Sequence, residues 1–116
     1  GVLLSQAIEA SKILEEKGKS VSVVGVGSIK PLDEKFLIRM VEKHSNWITL
    51  EEHGIIGGLG SSLLEWLSVN NINTVNINRF GTPDEFIHEL GNQEYTRKKF
   101  GLDKISIANR VCEIIN

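Results

Sequence analysis

The chain has 116 residues, of which 41% are hydrophobic and 24% charged, and its formal net charge is −2. This length suits one domain, spanning residues 1–116, with a modest core, and the composition is that of an ordinary soluble globular protein. The near-neutral charge excludes a broad field that would attract nucleic acid or anionic membrane, one cysteine excludes an internal disulfide framework, and no apolar run approaches the length of a membrane span.

The first half of the chain alternates helix patterns with strand patterns. Apolar residues recur at intervals of three and four from 2 to 17, and Gly18 then predicts the end of a helix. Residues 20–26 are rich in valine, which is typical of a buried parallel strand. Asp33 is placed to cap a second helix, and residues 47–51 predict a second strand. The expected inner face of the first helix consists of Leu3, Leu4, Ala7, Ile8, Ser11 and Leu14.

The second half continues the alternation. Leucine and tryptophan spacing predicts a third helix from 59 to a turn at 70–71, and residues 74–80 predict a third strand. Two helices follow, near 93–100 and 103–115, with Gly101 as the C-terminal cap of one and Asp103 as the N-cap of the other. The expected inner face of the last helix consists of Ile105, Ala108, Val111, Cys112 and Ile115.

This order of elements predicts an α/β fold of three layers, α/β/α, with a mostly parallel sheet. Leu63, Trp66 and Leu67 are expected to pack the third helix on the sheet. Val23, Ile48 and Val75 are expected beneath the covering helices. On this prediction Cys112 is a small buried hydrophobe rather than a reactive thiol, which suits a reducing, cytoplasmic location.

A glycine-rich turn follows the strand that ends at Glu51. Glycines let a backbone approach closely, and the positive end of the next helix favours an anion. Arg79, at the end of the next strand, is expected nearby and is suited to a phosphate or carboxylate. The candidate anion or regulatory site therefore consists of His53, Gly57, Gly58, Gly60, Ser61, Ser62 and Arg79.

Each of these features also has a structural interpretation, which we favour. The glycines would then let helix and strand pack closely, and Arg79 would form a salt bridge with Glu51 or Asp84. Glu52 and His53 offer acid/base chemistry or metal binding, but hydrogen bonds to the following loop are the simpler interpretation. We predict no metal site and no catalytic residue.

Four ordered motifs resemble the C-terminal domain of transketolase-type enzymes, the thiamine diphosphate family that includes transketolase, deoxyxylulose-phosphate synthase and the β subunits of 2-oxoacid dehydrogenases. They lie at residues 28–33, 49–62, 79–86 and 101–103. The resemblance covers nearly the whole chain. It implies a parent enzyme that transfers ketol or acyl units between sugar phosphates or from 2-oxo acids.

The resemblance also implies that thiamine diphosphate and Mg²⁺ belong to the parent enzyme and not to this domain, because the Gly-Asp-Gly motif of that site is missing here. The domain would be non-catalytic and would support assembly through dimer contacts with other domains or subunits. A small-molecule regulatory module is the alternative. We expect the isolated chain to bind no cofactor and to be inactive.

The same resemblance implies that the sheet lacks its first strands, so that the chain is a fragment of a larger enzyme or subunit. An unfilled central position would leave unpaired backbone groups. The flanking strands would close up, another chain would supply the strand, or a preceding segment would do so. We therefore expect self-association into a homo-oligomer, with an apolar surface around Trp66 or residues 55–59.

Overall fold

Five helices and two paired strands make up the described part of the chain. A computed structural model describes residues 2–25, 32–51, 58–81 and 93–115. The elements in order are α1 (Val2–Glu16), α2 (Glu34–Lys43), β1 (Asn46–Glu51), α3 (Leu59–Val69), β2 (Asn76–Gly81), α4 (Gln93–Lys99) and α5 (Lys104–Ile115). β1 and β2 are parallel, with Thr49 opposite Arg79 and Glu51 opposite Gly81, and α3 is the crossover between them.

The two strands separate two apolar clusters, because successive side chains of a strand point to opposite faces. We call them the α1/α5 cluster and the α2/α3 cluster. Buried members of the α1/α5 cluster are Ala10, Leu14, Phe80, Leu102, Ile107, Ala108 and Val111. Buried members of the α2/α3 cluster are Leu37, Leu63, Trp66, Leu67 and Val75. Helices on both sides of a parallel sheet confirm the predicted three-layer α/β/α fold.

Three helices end in the same way, with a residue in the left-handed backbone region. Gly18 after α1 has φ +79°, Asn71 after α3 has φ +56° and Gly101 after α4 has φ +71°. After α4, Leu102 N–H donates to Arg97 O at 2.7 Å and Gly101 N–H donates to Lys98 O at 3.3 Å. This pair of bonds satisfies carbonyls that the helix end would otherwise leave unpaired. The predicted helix ends at these positions are confirmed.

Two aspartates cap helix N-termini as predicted. Asp33 Oδ1 accepts a hydrogen bond from Phe36 N–H at 3.2 Å at the start of α2. Asp103 Oδ2 accepts from Ser106 N–H at 3.2 Å at the start of α5. Each carboxylate also places negative charge at the positive end of a helix.

The predicted strand at residues 20–26 is wrong for 20–25, and Val26 lies outside the described residues. Residues 20–25 are not part of the two-stranded sheet. Val23 is 38% exposed and Val24 is 39% exposed, so Val23 is not beneath the covering helices. The valine-rich pattern predicts a buried strand only where a neighbouring strand pairs with it, and no described strand does so here.

Two helix faces and one surface also differ from prediction. On α1, Leu14 is buried as expected and Ala10 is buried in addition, whereas Leu4 and Ile8 are exposed. On α5, Ile105 is 58% exposed and Ile107 takes its place in the core. Cys112 is half-buried at the edge of the α1/α5 cluster. Trp66 itself is buried and is not part of an exposed surface, and residues 55–57 lie outside the described part.

A cleft of about 830 Å³ lies beside β1. It is lined by residues 20–25 and 45–50, by the inner faces of α1 and α5, and by parts of α2 and α3. The cleft therefore occupies the level of the sheet, between the two helix layers. Among the described helices, none combines the length and apolar character needed to cross a membrane.

Candidate functional site

Three polar side chains share one face of the sheet near its carboxyl edge. Thr49 lies opposite Arg79 in the ladder, and Glu51 is two residues further along β1. Residues that face each other across a ladder, and residues two apart in a strand, point to the same side. This side carries the α2/α3 cluster, so the three polar groups lie next to the first turn of α3.

Glu51 and Arg79 form an ion pair. Arg79 Nη2 lies 3.7 Å from Glu51 Oε2, and the side chains are 22% and 9% exposed, respectively. The Thr49 hydroxyl donates to the same carboxylate oxygen at 3.5 Å, and Thr49 is 4% exposed. These distances indicate a charge contact rather than a short bidentate pair. The structural interpretation of Glu51 and Arg79 is confirmed.

The guanidinium of Arg79 lies against the backbone of α3 at Gly60. A methyl group at Gly60 would lie 3.0 Å from Arg79 Cδ and 3.1 Å from Cγ, and would overlap Nε. The predicted close approach at a glycine of this turn is thus confirmed at Gly60. Arg79 Nε and Nη2 are buried and have no hydrogen-bond partner, an arrangement that is uncommon in folded proteins.

Residues in the first turn of α3 form some of their hydrogen bonds with one another. Gly58 is the N-cap and forms no side-chain cap bond. Ser62 N–H donates to Gly58 O at 3.2 Å, and the Ser62 hydroxyl lies 3.5 Å from the same oxygen. Ser61 is half-buried in the same turn. The structure therefore places at one sheet edge the candidate residues Gly58, Gly60, Ser61, Ser62 and Arg79.

The remaining candidates lie outside the described residues. These are His53 and Gly57 of the proposed site, together with Glu52 and Asp84 of the alternatives. Among the residues that are described, no three His, Cys, Asp or Glu side chains are placed to hold a metal ion.

Sequence reasoning missed Arg110, which connects α5 to the core and to the end of α4. Its guanidinium carbon is 3.6 Å from the centroid of the Phe80 ring. Its Nη1 donates to Phe100 O and to Gly101 O, both at 3.2 Å. Burial lowers the pKa of Arg110, and Glu113 opposes that shift. The sequence signal that could have identified Arg110 is its position next to Val111 and three residues after Ile107, close to the inner face of α5.

The amino-acid sequence matches a family model described as the transketolase C-terminal domain over residues 1–107. The chain belongs to the transketolase C-terminal domain family. The four motifs on which the resemblance rests, at 28–33, 49–62, 79–86 and 101–103, all lie within the matched range.

Two curated relatives of this transketolase C-terminal domain are 1-deoxy-D-xylulose-5-phosphate synthases. The chain is 37% identical over 111 residues to 1-deoxy-D-xylulose-5-phosphate synthase 2 of Geobacter sulfurreducens, covering 96% of this chain and 18% of that protein. It is 38% identical over 116 residues to the 1-deoxy-D-xylulose-5-phosphate synthase of Clostridium botulinum, covering 100% and 18%. The domain thus spans less than a fifth of the length of the relatives it matches.

A solved structure has the same fold. It is described as a split gene transketolase, inactive β4 tetramer, and it superposes on this transketolase C-terminal domain with a TM-score of 0.81 at 30% sequence identity. The match covers 97% of this chain and 36% of that one. The likeness supports the three-layer architecture independently of the motifs.

Proposed function

We propose that this chain is the C-terminal domain of a 1-deoxy-D-xylulose-5-phosphate synthase-like transferase, and that it contributes to assembly rather than to catalysis. One observation carries the proposal: 96% and 100% of the chain match 18% of the length of two synthases of this name. The Glu51–Arg79 ion pair fits this role, because each charge at the sheet edge is partly neutralised by the other.

The parent enzyme on this proposal transfers a ketol or acyl unit, as the resemblance implies, and it acts in the cytoplasm. Thiamine diphosphate with Mg²⁺ would supply the carbanion-stabilising chemistry and would be held by other domains or subunits. The specificity for a sugar phosphate or a 2-oxo acid would lie there too.

Assembly contacts would be made through the exposed apolar side chains of this domain. Val69 and Leu64 of α3 are 72% and 44% exposed, and Ile38 of α2 is 49% exposed. Large apolar side chains on a surface gain most free energy when a partner covers them. A homo-oligomer or contacts with neighbouring domains would do so.

The proposal is tested by exchanging domains. The matching segment of the Geobacter sulfurreducens synthase is replaced with these 116 residues, and the chimera is assayed for formation of 1-deoxy-D-xylulose 5-phosphate and for oligomeric state. We expect a folded oligomer with measurable activity, and a truncated synthase without either segment is the control. A chimera that folds and assembles like the native synthase but has no activity would contradict the proposed role.

The isolated chain gives a second test. We expect calorimetry with thiamine diphosphate and Mg²⁺ to detect no binding, because the cofactor site is proposed to lie elsewhere. Micromolar binding to this chain alone would overturn the assignment of the domain as non-catalytic.

A second candidate function is an anion-binding regulatory site at the same sheet edge. It is favoured by the two buried nitrogen atoms of Arg79 that have no hydrogen-bond partner and by the adjacent N-terminus of α3. Titration with inorganic phosphate, followed by amide chemical shifts, is the test. Shifts at residues 58–62 that disappear in Arg79→Gln but persist in Arg39→Gln would support it, and unchanged shifts in the native chain would exclude it.

A further inference from the structure

Positive charge is concentrated where α4 ends and α5 begins. Residues 93–104 contain four basic and two acidic residues, which gives a formal charge of +2, whereas the other residues contain nine basic and thirteen acidic residues, which gives −4. Lys98, Lys99 and Lys104 are all exposed, and only residues 100–103 separate the two helices that carry them. A chain with a negative net charge therefore presents a local basic surface.

Local electrostatics explains the lysines of α4 but not the lysine of α5. Lys98 and Lys99 lie in the last turn of α4, where the helix dipole favours positive charge. Lys104 is the first residue of α5, where the same dipole disfavours positive charge. The position of Lys104 is therefore not explained by the stability of its own helix.

Backbone N–H groups at the start of α5 already have partners within the domain. Lys104 N–H donates to Gln6 Oε1 at 2.8 Å, and Ser106 N–H donates to Asp103 Oδ2 at 3.2 Å. The surface therefore offers lysine side chains to a partner rather than the end of a helix. Lysine ammonium groups are strongly hydrated charges on flexible stems, so they suit several carboxylates along a segment better than one small anion.

Apolar side chains accompany these lysines. Among the described residues, three large apolar side chains are more than half exposed, and two of them, Tyr95 and Ile105, belong to α4 and α5. Tyr95 lies one helical turn before Lys98 and Lys99, and Ile105 directly follows Lys104. Tyrosine is enriched in protein interfaces, and a partner that covers either side chain removes apolar surface from water.

The charge of the remaining residues decides between classes of anionic partner. Nucleic acid and anionic membranes present negative charge over a wide area, so the formal charge of −4 outside residues 93–104 opposes their approach. A short acidic peptide segment can contact the lysines without meeting the rest of the surface. Its apolar side chains can also cover Tyr95 and Ile105.

We propose that the surface formed by Tyr95, Lys98, Lys99, Lys104 and Ile105 binds an acidic segment of another polypeptide. The segment carries three or more carboxylates with apolar side chains between them. Higher ionic strength weakens the contact, because the charges on this surface are exposed to solvent. The surface is separate from the exposed apolar residues of α2 and α3, and the inference does not require the proposed function.

Titration of the native chain with a probe peptide tests the inference. The probe alternates four glutamates with three leucines, one control peptide has glutamine in place of glutamate, and the other has serine in place of leucine. We expect the probe to change amide chemical shifts at residues 95–105 and to bind at least about tenfold more tightly than either control. No binding of the probe, or equal binding of the three peptides, would overturn the proposal.

Two triple variants with the same net charge locate the binding. The first replaces the three lysines of the surface: Lys98→Gln, Lys99→Gln and Lys104→Gln. The second replaces three exposed lysines elsewhere: Lys17→Gln, Lys35→Gln and Lys43→Gln. The first should weaken probe binding at least about tenfold and the second less than about twofold. Equal losses would show that only net charge matters and would contradict the assignment.

Three serine substitutions test the apolar part of the surface. Tyr95→Ser and Ile105→Ser should each weaken probe binding about threefold or more. Val69→Ser is the control and should leave binding unchanged, because Val69 is 72% exposed but lies at the end of α3. Equal effects of the three substitutions would remove Tyr95 and Ile105 from the proposed surface.

Competition experiments separate the other occupants. Single-stranded DNA and phosphatidylglycerol vesicles should displace the probe only weakly, and displacement at an equal concentration of negative charge would show a general polyanion surface and overturn the proposal. Residues 82–92 of the same chain contain Asp84, Glu85 and Glu89. Replacing these three with their amides should leave probe affinity unchanged, and a tenfold gain would show that the chain's own segment occupies the surface and would overturn the proposed partner.

Discussion

The guanidinium of Arg110 lies over the ring of Phe80, 3.6 Å from its centroid. The same group donates to two carbonyls at the end of α4. A cation over an aromatic face is attracted by the ring quadrupole, and the hydrogen bonds satisfy carbonyls that a helix end leaves free. One side chain therefore ties α5, β2 and α4 together.

Arg110→Ala should lower the free energy of unfolding by about 1–3 kcal/mol, because it removes the ring contact and both hydrogen bonds. Urea unfolding followed by circular dichroism is the measurement. Arg39→Ala is the matched control, since Arg39 is exposed and lies 6.0 Å from the Phe36 centroid, and it should cost less than about 0.5 kcal/mol. Similar losses in the two variants would contradict the role given to Arg110.

Gly60→Val should destabilise the domain by about 1–3 kcal/mol, because the new side chain overlaps Arg79. Gly25→Val is the control, since nothing lies within 4 Å of a methyl group at Gly25. The double variant Gly60→Val with Arg79→Ala should recover part of the loss, because the overlapping side chain is gone. Strict additivity of the two single losses would exclude the proposed steric conflict.

Leu67→Ala should cost about 2–5 kcal/mol, because Leu67 is 5% exposed and its loss leaves a cavity in the α2/α3 cluster. Leu64→Ala on the same helix is the control and should cost under about 1 kcal/mol, since Leu64 is 44% exposed. Thermal and urea unfolding give both values. A loss below half a kilocalorie per mole at Leu67 would mean that α3 packs with a different face.

Asp103 should make stability depend on acid pH. Burial raises the pKa of its carboxyl, but hydrogen bonds from Ser106 and the charge of Lys98 outweigh that effect and lower the pKa overall. A carboxyl with a lowered pKa in the folded state stabilises above its unfolded pKa of about 3.9, and this contribution is lost as the pH falls through the folded pKa.

The measurement compares native chain and Asp103→Asn by urea unfolding between pH 7 and pH 2. Asparagine also caps helices, so the variants should differ little at pH 7, and the native chain should lose more stability on acidification. Asp103→Ala should lose about 0.5–2 kcal/mol at pH 7 already. Parallel curves for the native chain and Asp103→Asn would show that this carboxylate does not titrate with folding.

Features that depend on a few neighbouring residues were predictable from the sequence. Gly18 and Gly101 end helices because glycine adopts a left-handed backbone without steric cost. Asp33 caps a helix because its carboxylate accepts a hydrogen bond from the backbone N–H three residues later. The exposure of Val23 was not predictable, because it depends on which strands lie beside residues 20–25. A valine-rich run has the same pattern whether or not a partner is present.

Some features of the candidate site were likewise predictable from the sequence, and others were not. A close approach at a glycine near residue 60 followed from the glycine-rich turn, and the pairing of Glu51 with Arg79 followed from the expected order of strands. That Arg79 is the group which meets Gly60 did not follow, because it depends on the packing of α3 across β2. Arg110 was missed since its partners, Phe80 and Phe100, come together only in the folded chain.

Among the described residues, β1 and β2 lie between the two apolar clusters. Residues packed under α1 and α5 share few neighbours with residues packed under α2 and α3. The changes in unfolding free energy caused by substitutions in the two clusters should therefore be almost additive. Each helix layer can then change its side chains without a matching change in the other. A lineage could remodel the surface that meets a new partner on one side while the opposite side keeps its ancestral packing.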